Sequence, residues 1–143
     1  ITAPMEDGGG AVLAMERCLA DASLCADDVD YVNAHGTSTP VGDKAETSAV
    51  HRVFKDRGKS VWVSSTKSMI GHLLGASGGV ELIATTLSVH EQRVHPTMNQ
   101  DDQDPECVLD SVPNEARDGQ VRAALCNTFG FGGHNVTLAI RTA

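Results

Sequence analysis

Two segments of the chain place apolar residues at helical spacing. In residues 10–22, apolar side chains recur every three or four positions between Val12 and Leu19, which predicts an amphipathic helix. Residues 71–92 are predicted to form one long helix, although four glycines interrupt it, at positions 71, 75, 78 and 79. Each interior glycine costs about 1 kcal/mol relative to alanine, so this helix requires close packing against another backbone. The alternative is a loop up to Gly79 followed by a shorter helix.

A third helix is predicted after a hydroxyl-rich turn. Thr39 has the character of an N-cap, and Pro40 suits the first helical position because its missing N–H costs nothing there. We expect this helix to run to about Phe54. Asp43 and Glu46 fall near its N-terminus, where acidic side chains interact favourably with the helix dipole.

Strand composition marks four segments, at residues 29–34, 60–65, 121–129 and 135–141. Because strands and helices alternate, the sequence predicts an α/β fold. We expect a mixed, mainly parallel five-stranded sheet with helices on both faces and a closing antiparallel hairpin. Neither a repeat nor a linker divides the chain, so residues 1–143 are predicted to form a single domain.

Composition narrows the class of protein. A hydrophobic content of 41% with 21% charged residues is typical of a soluble globular domain, and no apolar run is long enough to span a membrane. A net charge of −8 and an aromatic content of 3% argue against nucleic-acid binding. The opening residues, ITAPMEDGGG, have the character of the interior of a longer protein. These residues lack the basic-then-apolar pattern of a targeting segment, and a cytoplasmic location is expected.

The four cysteines show neither a CxxC pair nor close spacing, which favours free thiols in a reducing compartment. They are Cys18, Cys25, Cys107 and Cys126.

Polar or glycine-rich turns follow three of the predicted strands, in the segments NAHGTST, SSTKSMIGH and NTFGFGGHN. The first delivers His35, and the second delivers Lys67 and His72. Because ligands collect at the carboxyl ends of parallel strands, we expect these side chains to converge. A lone histidine or lysine would be weak evidence, since most such residues are structural or solvated.

Several kinds of chemistry lack their motifs. The sequence has no GxSxG elbow, no HExxH pair and no phosphate-binding glycine loop that opens a helix. The other histidines are scattered, so no metal site is predicted. The remaining interpretation is that His35 and His72 donate hydrogen bonds to a carbonyl oxygen that becomes an oxyanion or enolate. We predict that His72 begins a helix, whose positive end keeps the ring neutral.

Three motifs together carry a family resemblance: VNAHGTSTPVGDKAE, VSSTKSMIGHLLGASGGVE and CNTFGFGGHNVTL. They resemble the C-terminal portion of β-ketoacyl-acyl-carrier-protein synthases, in particular the type II elongation enzymes of bacterial fatty acid synthesis. The resemblance covers nearly the whole chain. It implies a thiolase-like fold, of which this chain is the C-terminal half, and a decarboxylative Claisen condensation of an acyl-enzyme with malonyl-acyl carrier protein.

The resemblance implies roles for the polar residues. His35 and His72 look like the histidine pair that binds the malonyl thioester carbonyl and stabilises the enolate. Lys67 resembles the lysine that orders the second histidine and its water, and Glu81 resembles the carboxylate partner of that lysine. Asn33 and Glu81 are supporting residues that share a structural cation in some members; otherwise no metal is expected.

Other residues match the substrate-binding part of the family. Thr37 and Thr39 correspond to threonines that contact the phosphopantetheine arm, although both also suit a turn and a cap. Phe131 corresponds to the gating phenylalanine, whose backbone N–H contributes to the oxyanion hole, and Phe129 is its neighbour. A core aromatic is the alternative for Phe131. Gly132 is one of the glycines that let this loop move.

The family reaction also needs a nucleophilic cysteine in an N-terminal half. None of the four cysteines has the required setting; Cys126, for example, falls inside a strand, where a thiolate is disfavoured. We therefore expect the isolated chain to be inactive. The resemblance implies no cofactor beyond the phosphopantetheine that carries the substrate. The expected partners are the acyl carrier protein, the N-terminal ketosynthase half and, in the full-length enzyme, a second copy in a homodimer.

Two alternatives to fatty acid elongation stay open. A polyketide synthase ketosynthase shares the same motifs, and a non-catalytic partner resembling a chain length factor is a different class. Retention of both histidines and Lys67 favours a catalytic origin. A basic group is a candidate docking edge for the acidic carrier protein, with a solvated helix end as the alternative; it comprises Arg52, Lys55, Arg57 and Lys59.

Overall fold

The computed structural model describes residues 3–143, so the first two residues of the predicted interior segment lie outside the described range. The helices are α1 (Gly9–Asp21), α2 (Pro40–Phe54), α3 (Lys67–Ile70) and α4 (Ser77–Glu91). The strands are β1 (Tyr31–Asn33), β2 (Trp62–Ser64), β3 (Arg93–Val94), β4 (Arg117–Asp118), β5 (Ala123–Phe129) and β6 (Asn135–Arg141).

The main sheet is mixed and mostly parallel, as predicted. Its strand order is β2-β1-β5-β6, with β1 parallel to both β2 and β5 and with β5 antiparallel to β6. Tyr31 is in register with Trp62 on one side and with Ala124 on the other. The carboxyl ends of β1, β2 and β5 therefore meet at one edge of the sheet.

The predicted number of five strands in that sheet is wrong. In residues 3–143 the main sheet has four strands, and β3 and β4 form a separate two-stranded ribbon. The free edge of β2 is instead covered by a loop, since the backbone N–H of Val63 donates to the carbonyl of Asp110 at 2.8 Å. That contact takes the position in which a fifth strand would pair.

Helices cover both faces of the sheet because strand side chains alternate between them. Val32 and Leu125 are fully buried in a cluster with Met15 of α1. On the opposite face, Tyr31 and Ala124 pack in a second buried cluster against Val89 of α4. Burying each such apolar side chain contributes about 1.5–3 kcal/mol, so the two clusters fix the strand ends that carry the polar residues.

The predicted long helix over residues 71–92 is wrong. Helix α3 ends at Gly71, whose φ of +74° suits glycine, and a 3₁₀ turn at Leu74–Ala76 precedes α4. A β-carbon on Gly78 would lie 3.3 Å from the hydroxyl of Thr128, whereas one on Gly79 would meet nothing within 4 Å. Of the four glycines, only Gly78 and Gly79 lie inside an α-helix. The cost in helix stability is therefore smaller than expected, and it does not require close packing of the glycines against another backbone. Helix α4 begins at Ser77, three residues before the start of the shorter helix in the alternative prediction.

The outer side of α4 and the neighbouring side of β6 leave apolar side chains exposed. Val80, Ile83 and Leu87 recur along one face of α4, and Ile83 is 62% exposed. Val136 and Leu138 lie on the β6 face that also carries Ile140, whose side chain packs with the α4 cluster. No helix in residues 3–143 combines the length and apolar character needed to cross a membrane.

Candidate active site

Three strand ends bring the predicted residues together. His35 follows β1, Lys67 opens α3 shortly after β2, and Phe129 ends β5. The ring centroids of His35 and His72 lie 5.6 Å apart and the rings are nearly perpendicular, at 86°. The ring of Phe129 lies at the same centroid distance from His35. The two imidazoles therefore face one small region of the molecule.

The backbone at His35 is held by a buried carboxylate. The N–H groups of His35 and Gly36 donate to the two oxygens of Glu46, at 3.0 and 2.9 Å. Asn127 of β5 donates to the same carboxylate at 3.1 Å, which joins two strand ends. Burial raises the pKa of Glu46, and the three hydrogen bonds oppose that shift.

Sequence reasoning gave Glu46 only the role of a helix N-terminal charge. No spacing in the sequence marks this contact, which joins Glu46 of α2 to the backbone of a residue eleven positions earlier.

Lys67 forms a buried ion pair with Glu81, and both side chains are almost fully inaccessible. Its ammonium also lies 3.4 Å from Nδ1 of His35. Because an ammonium only donates, Nδ1 is the acceptor and the neutral ring carries its proton on Nε2. Burial, followed by the charges of Lys67 and His72, lowers the pKa of His35 to about 4.

The resemblance implied that Lys67 orders the second histidine, and the geometry differs. Within residues 3–143, the polar contacts of the Lys67 ammonium are with Glu81 and His35, and none is with His72. The physical reason is the break after α3: Gly71 turns the chain away before His72 is reached.

His72 lies between α3 and the 3₁₀ turn, so the prediction that it begins a helix is wrong. Its Nδ1 accepts the backbone N–H of Leu74 at 3.0 Å and lies 3.0 Å from the hydroxyl of Ser77. That hydroxyl is itself an acceptor for the N–H of Leu73, so its own proton is free to point at His72. With Nδ1 occupied, the proton of the neutral ring lies on Nε2. Local hydrogen bonds, rather than a helix dipole, select this tautomer.

The loop residues expected to contact substrate lie on the open side. The hydroxyls of Thr37 and Thr39 are 3.2 Å apart, and Thr39 makes no capping hydrogen bond although it occupies the N-cap position of α2. Phe131 is 73% exposed, which does not fit the alternative of a core aromatic. Gly132 and Gly133 have φ of +73° and +79°, a region that glycine adopts at little cost.

The cation implied by the resemblance does not fit Asn33. The amide nitrogen of Asn33 lies 2.9 Å from the Thr66 hydroxyl, 3.0 Å from that of Thr85 and 3.3 Å from the Glu81 carbonyl. Its carbonyl oxygen accepts from Thr66 at 3.2 Å. Both ends of this amide are thus engaged by protein groups, while Oε2 of Glu81 is buried without a partner among the described residues. The structure places no three metal-binding side chains together anywhere in the described range.

Half of the basic group is engaged inside the chain. Arg52 donates to the carbonyl of Asp7 at 2.8 Å, and Arg57 donates to the carbonyls of Ala26 and Val29 at 2.9 and 3.1 Å. Lys55 and Lys59 are exposed, and Arg52 is exposed as well despite its contact with Asp7. The interpretation of these four residues as a continuous docking edge is weakened accordingly.

Comparison with known proteins identifies the class. The family model described as beta-ketoacyl synthase, C-terminal domain, matches residues 1–101. The chain is 52% identical over 141 residues to the 3-oxoacyl-(acyl-carrier-protein) synthase 2 of Synechocystis, covering 99% of this chain and 34% of that protein. This chain belongs to the β-ketoacyl synthase family and corresponds to its C-terminal domain. It spans about a third of the length of the curated relatives it matches.

Solved structures agree with the thiolase-like fold. A β-ketoacyl synthase from Burkholderia phymatum superposes with a TM-score of 0.92 at 40% identity, over 99% of this chain and 34% of that one. A type II polyketide ketosynthase, solved in complex with its acyl-carrier protein and bound to the hexaketide, superposes with a TM-score of 0.96 at 33% identity. The superposition covers 99% of this chain and 35% of the ketosynthase chain.

Proposed function

We propose that this chain is the C-terminal part of a 3-oxoacyl-acyl-carrier-protein synthase that extends acyl chains in fatty acid synthesis. The observation that carries the proposal is the pair of facing imidazoles. His35 and His72 lie with ring centroids 5.6 Å apart, and each has its Nδ1 occupied as an acceptor. Both rings therefore present an Nε2–H donor, which is what a carbonyl oxygen gaining negative charge requires.

In the proposed reaction, the thioester carbonyl of malonyl-acyl carrier protein accepts hydrogen bonds from Nε2 of His35 and His72. The bond between the malonyl carboxylate and its α-carbon breaks, carbon dioxide leaves, and the electron pair forms an enolate. The enolate carbon then attacks an acyl thioester on the enzyme. The carbon–sulfur bond breaks, and the cysteine departs as a thiolate while the 3-oxoacyl product stays on the carrier protein.

The lysine supports this chemistry without touching the reacting atoms. Its ammonium donates toward Nδ1 of His35, which selects the tautomer, and its charge disfavours the imidazolium. Glu81 neutralises that charge in a buried setting, so Lys67 stays in place. A histidine with its pKa lowered to about 4 stays a neutral donor across the physiological range.

Substrate delivery falls to the exposed loops in this proposal. Thr37 and Thr39 present hydroxyls to the pantetheine part of the phosphopantetheine arm, whose amides offer matching donors and acceptors. Phe131 acts as the gate, and the glycines after it let the turn change conformation. No further cofactor is proposed.

The acyl group needs a nucleophile that this chain does not supply well. Burial raises the pKa of Cys126 to about 11, and burial also raises the pKa of Cys18 and Cys107. We place the nucleophilic cysteine in the remaining two-thirds of the protein. The exposed apolar surface of α4 and β6 would pack against that part, and acyl carrier protein and a second copy complete the proposed assembly.

Fatty acid elongation is favoured over the two alternatives. Identity is 52% to a 3-oxoacyl-acyl-carrier-protein synthase and 33% to a polyketide ketosynthase. A non-catalytic partner has no need of two converging histidines and a buried lysine, whereas this chain holds all three in one place.

The test is a chimera that joins the first two-thirds of the Synechocystis relative to this chain. We expect it to convert acyl-acyl carrier protein and malonyl-acyl carrier protein to a 3-oxoacyl product with one added two-carbon unit. The relative itself is the positive control. A folded chimera without condensing activity would contradict the proposal, and so would a product extended repeatedly in the absence of reductase, which indicates a polyketide enzyme. Activity of this chain alone would contradict the placement of the nucleophile.

A further inference from the structure

A buried hydrogen-bond cluster lies directly behind the lysine-bearing turn. Tyr31 is fully buried, and its hydroxyl lies 2.9 Å from that of Ser64 and 3.0 Å from Nε2 of His95. The same Nε2 lies 3.0 Å from the hydroxyl of Thr66, the residue immediately before Lys67. None of the chemistry proposed above uses His95.

The tautomer of His95 follows from its other nitrogen. Nδ1 lies 3.2 Å from the carbonyl oxygen of Pro96, an atom that can only accept, and 3.2 Å from the hydroxyl of Ser64, which can accept as well. The neutral ring therefore carries its proton on Nδ1, and Nε2 accepts from the hydroxyl of Tyr31 or Thr66. Burial lowers the pKa of His95, which keeps the ring in this accepting form.

The residues after His95 hold the same turn from behind. The hydroxyl of Thr97 accepts the backbone N–H of Ser65 at 3.1 Å, and the N–H of Met98 donates to the hydroxyl of Ser68 at 2.9 Å. That hydroxyl donates to the Ser65 carbonyl at 2.7 Å. Residues on both sides of Lys67 are thus tied to the segment that begins at His95.

Thr66 is also the point where this cluster meets the ion pair. Its hydroxyl accepts from the amide of Asn33, and that amide also contacts the carbonyl of Glu81. Losing the acceptor at His95 would leave the Thr66 hydroxyl with the Asn33 amide as its remaining partner, and the Tyr31 hydroxyl with that of Ser64. Lys67 is therefore one hydrogen bond from His95, through its neighbour Thr66, and the backbone carbonyl of Glu81 is three.

We propose that His95 is a positioning residue that holds Lys67 against His35 through the hydroxyl of Thr66. This inference rests on the proposed function, because its readout is the reaction assigned to His35 and His72.

The test uses the chimera defined above, with malonyl-acyl carrier protein as the probe and release of carbon dioxide as the readout. H95L removes the acceptor at similar volume, and we expect kcat to fall roughly tenfold with KM little changed. H95Q places an amide oxygen near the position of Nε2 and should restore kcat to within roughly twofold of the parent. H90L is the matched control, since His90 is exposed at the end of α4.

The pH profile separates positioning from a general loss of structure. The groups that face His35 are Lys67 from α3, His72 from the following segment and, through the backbone, Glu46 from α2. Displacing Lys67 removes a positive charge that lowers the pKa of His35. The acid limb of the rate profile should therefore move to higher pH in H95L and stay in place in H90L.

The outcomes distinguish the two proposals. A parent chimera that folds but releases no carbon dioxide overturns the proposed function and this inference with it. An active parent whose H95L variant keeps its rate, or loses rate equally at all pH values without a shift of the acid limb, overturns the inference alone. Should H95L fail to fold, T66V, which removes the hydroxyl through which His95 acts, takes its place with the same expectations and the same decisive outcomes.

Discussion

The two sides of the candidate site differ in how completely this chain builds them. On the inner side, the Lys67–Glu81 pair is nearly inaccessible and Glu46 is only 6% exposed. Both carboxylates are hydrogen-bonded within this chain, although Oε2 of Glu81 has no partner among the described residues. On the outer side, Phe131 is 73% exposed and the two threonine hydroxyls contact each other. The difference teaches that this chain fixes the tautomers and the orientation of the two histidines by itself. Substrate contact is left to loops that face outward.

Replacing Lys67 should have the largest effect on the inner side of the site, in both stability and activity. K67M leaves the Glu81 carboxylate buried without its partner, which should destabilise the chimera by about 3–5 kcal/mol. It should also abolish measurable release of carbon dioxide, because His35 loses its Nδ1 donor. Chemical denaturation and the decarboxylation assay measure the two effects.

The double variant K67M with E81M is the matched control for charge burial. It should recover most of the lost stability, because no buried charge is left unpaired, and it should stay inactive. Recovery of activity in the double variant would show that the lysine acts only on stability.

The second prediction separates the two nitrogens of His72. H72N keeps an acceptor near the Nδ1 position, where the Leu74 N–H donates, but removes the Nε2 donor. The expected loss in the rate of condensation is about 100- to 1,000-fold, the size found when one donor to an oxyanion is removed. H72Q places an amide N–H near the position of Nε2 and should recover part of the lost rate of condensation. Equal rates for the two variants would contradict the assigned tautomer.

The division between inner and outer sides also explains what the sequence could predict. Helices α1 and α2 followed from apolar spacing and from Thr39–Pro40, and the parallel sheet followed from the alternation of strands with helices. Helix α4 was placed too early, because periodicity does not register the positive φ of Gly71 that ends α3. Strands β3 and β4 pair over only two residues each, which is too short for an alternation of apolar and polar residues to be detected in the sequence.

The same limits hold for the site. His35, Lys67 and His72 could be found because each follows a strand end or opens the adjoining turn. Glu46 and His95 could not, because their importance lies in contacts across the fold. Glu46 reaches Asn127, and His95 reaches Tyr31, with no sequence spacing to announce either pair.

Glu46 offers a smaller and more local disturbance of the inner side. E46Q keeps the shape but replaces one acceptor oxygen with an N–H₂ group, which must face either Asn127 or one of the backbone N–H groups of His35 and Gly36. The expected cost is about 1–3 kcal/mol in the free energy of unfolding and roughly a tenfold loss in rate. E16Q on the exposed side of α1 is the control and should change neither quantity. An unchanged rate in a destabilised E46Q would limit Glu46 to folding.

The smallest effect belongs to the outer side. T37V and T39V remove one hydroxyl each at nearly constant volume, and neither hydroxyl supports the histidines. If the two hydroxyls bind the carrier arm, each variant should raise KM for malonyl-acyl carrier protein by roughly two- to tenfold, the equivalent of one net hydrogen bond. The kcat and the unfolding midpoint should stay constant. A fall in kcat at unchanged KM would instead tie the threonines to the inner side, and the boundary drawn between the two sides would then be misplaced.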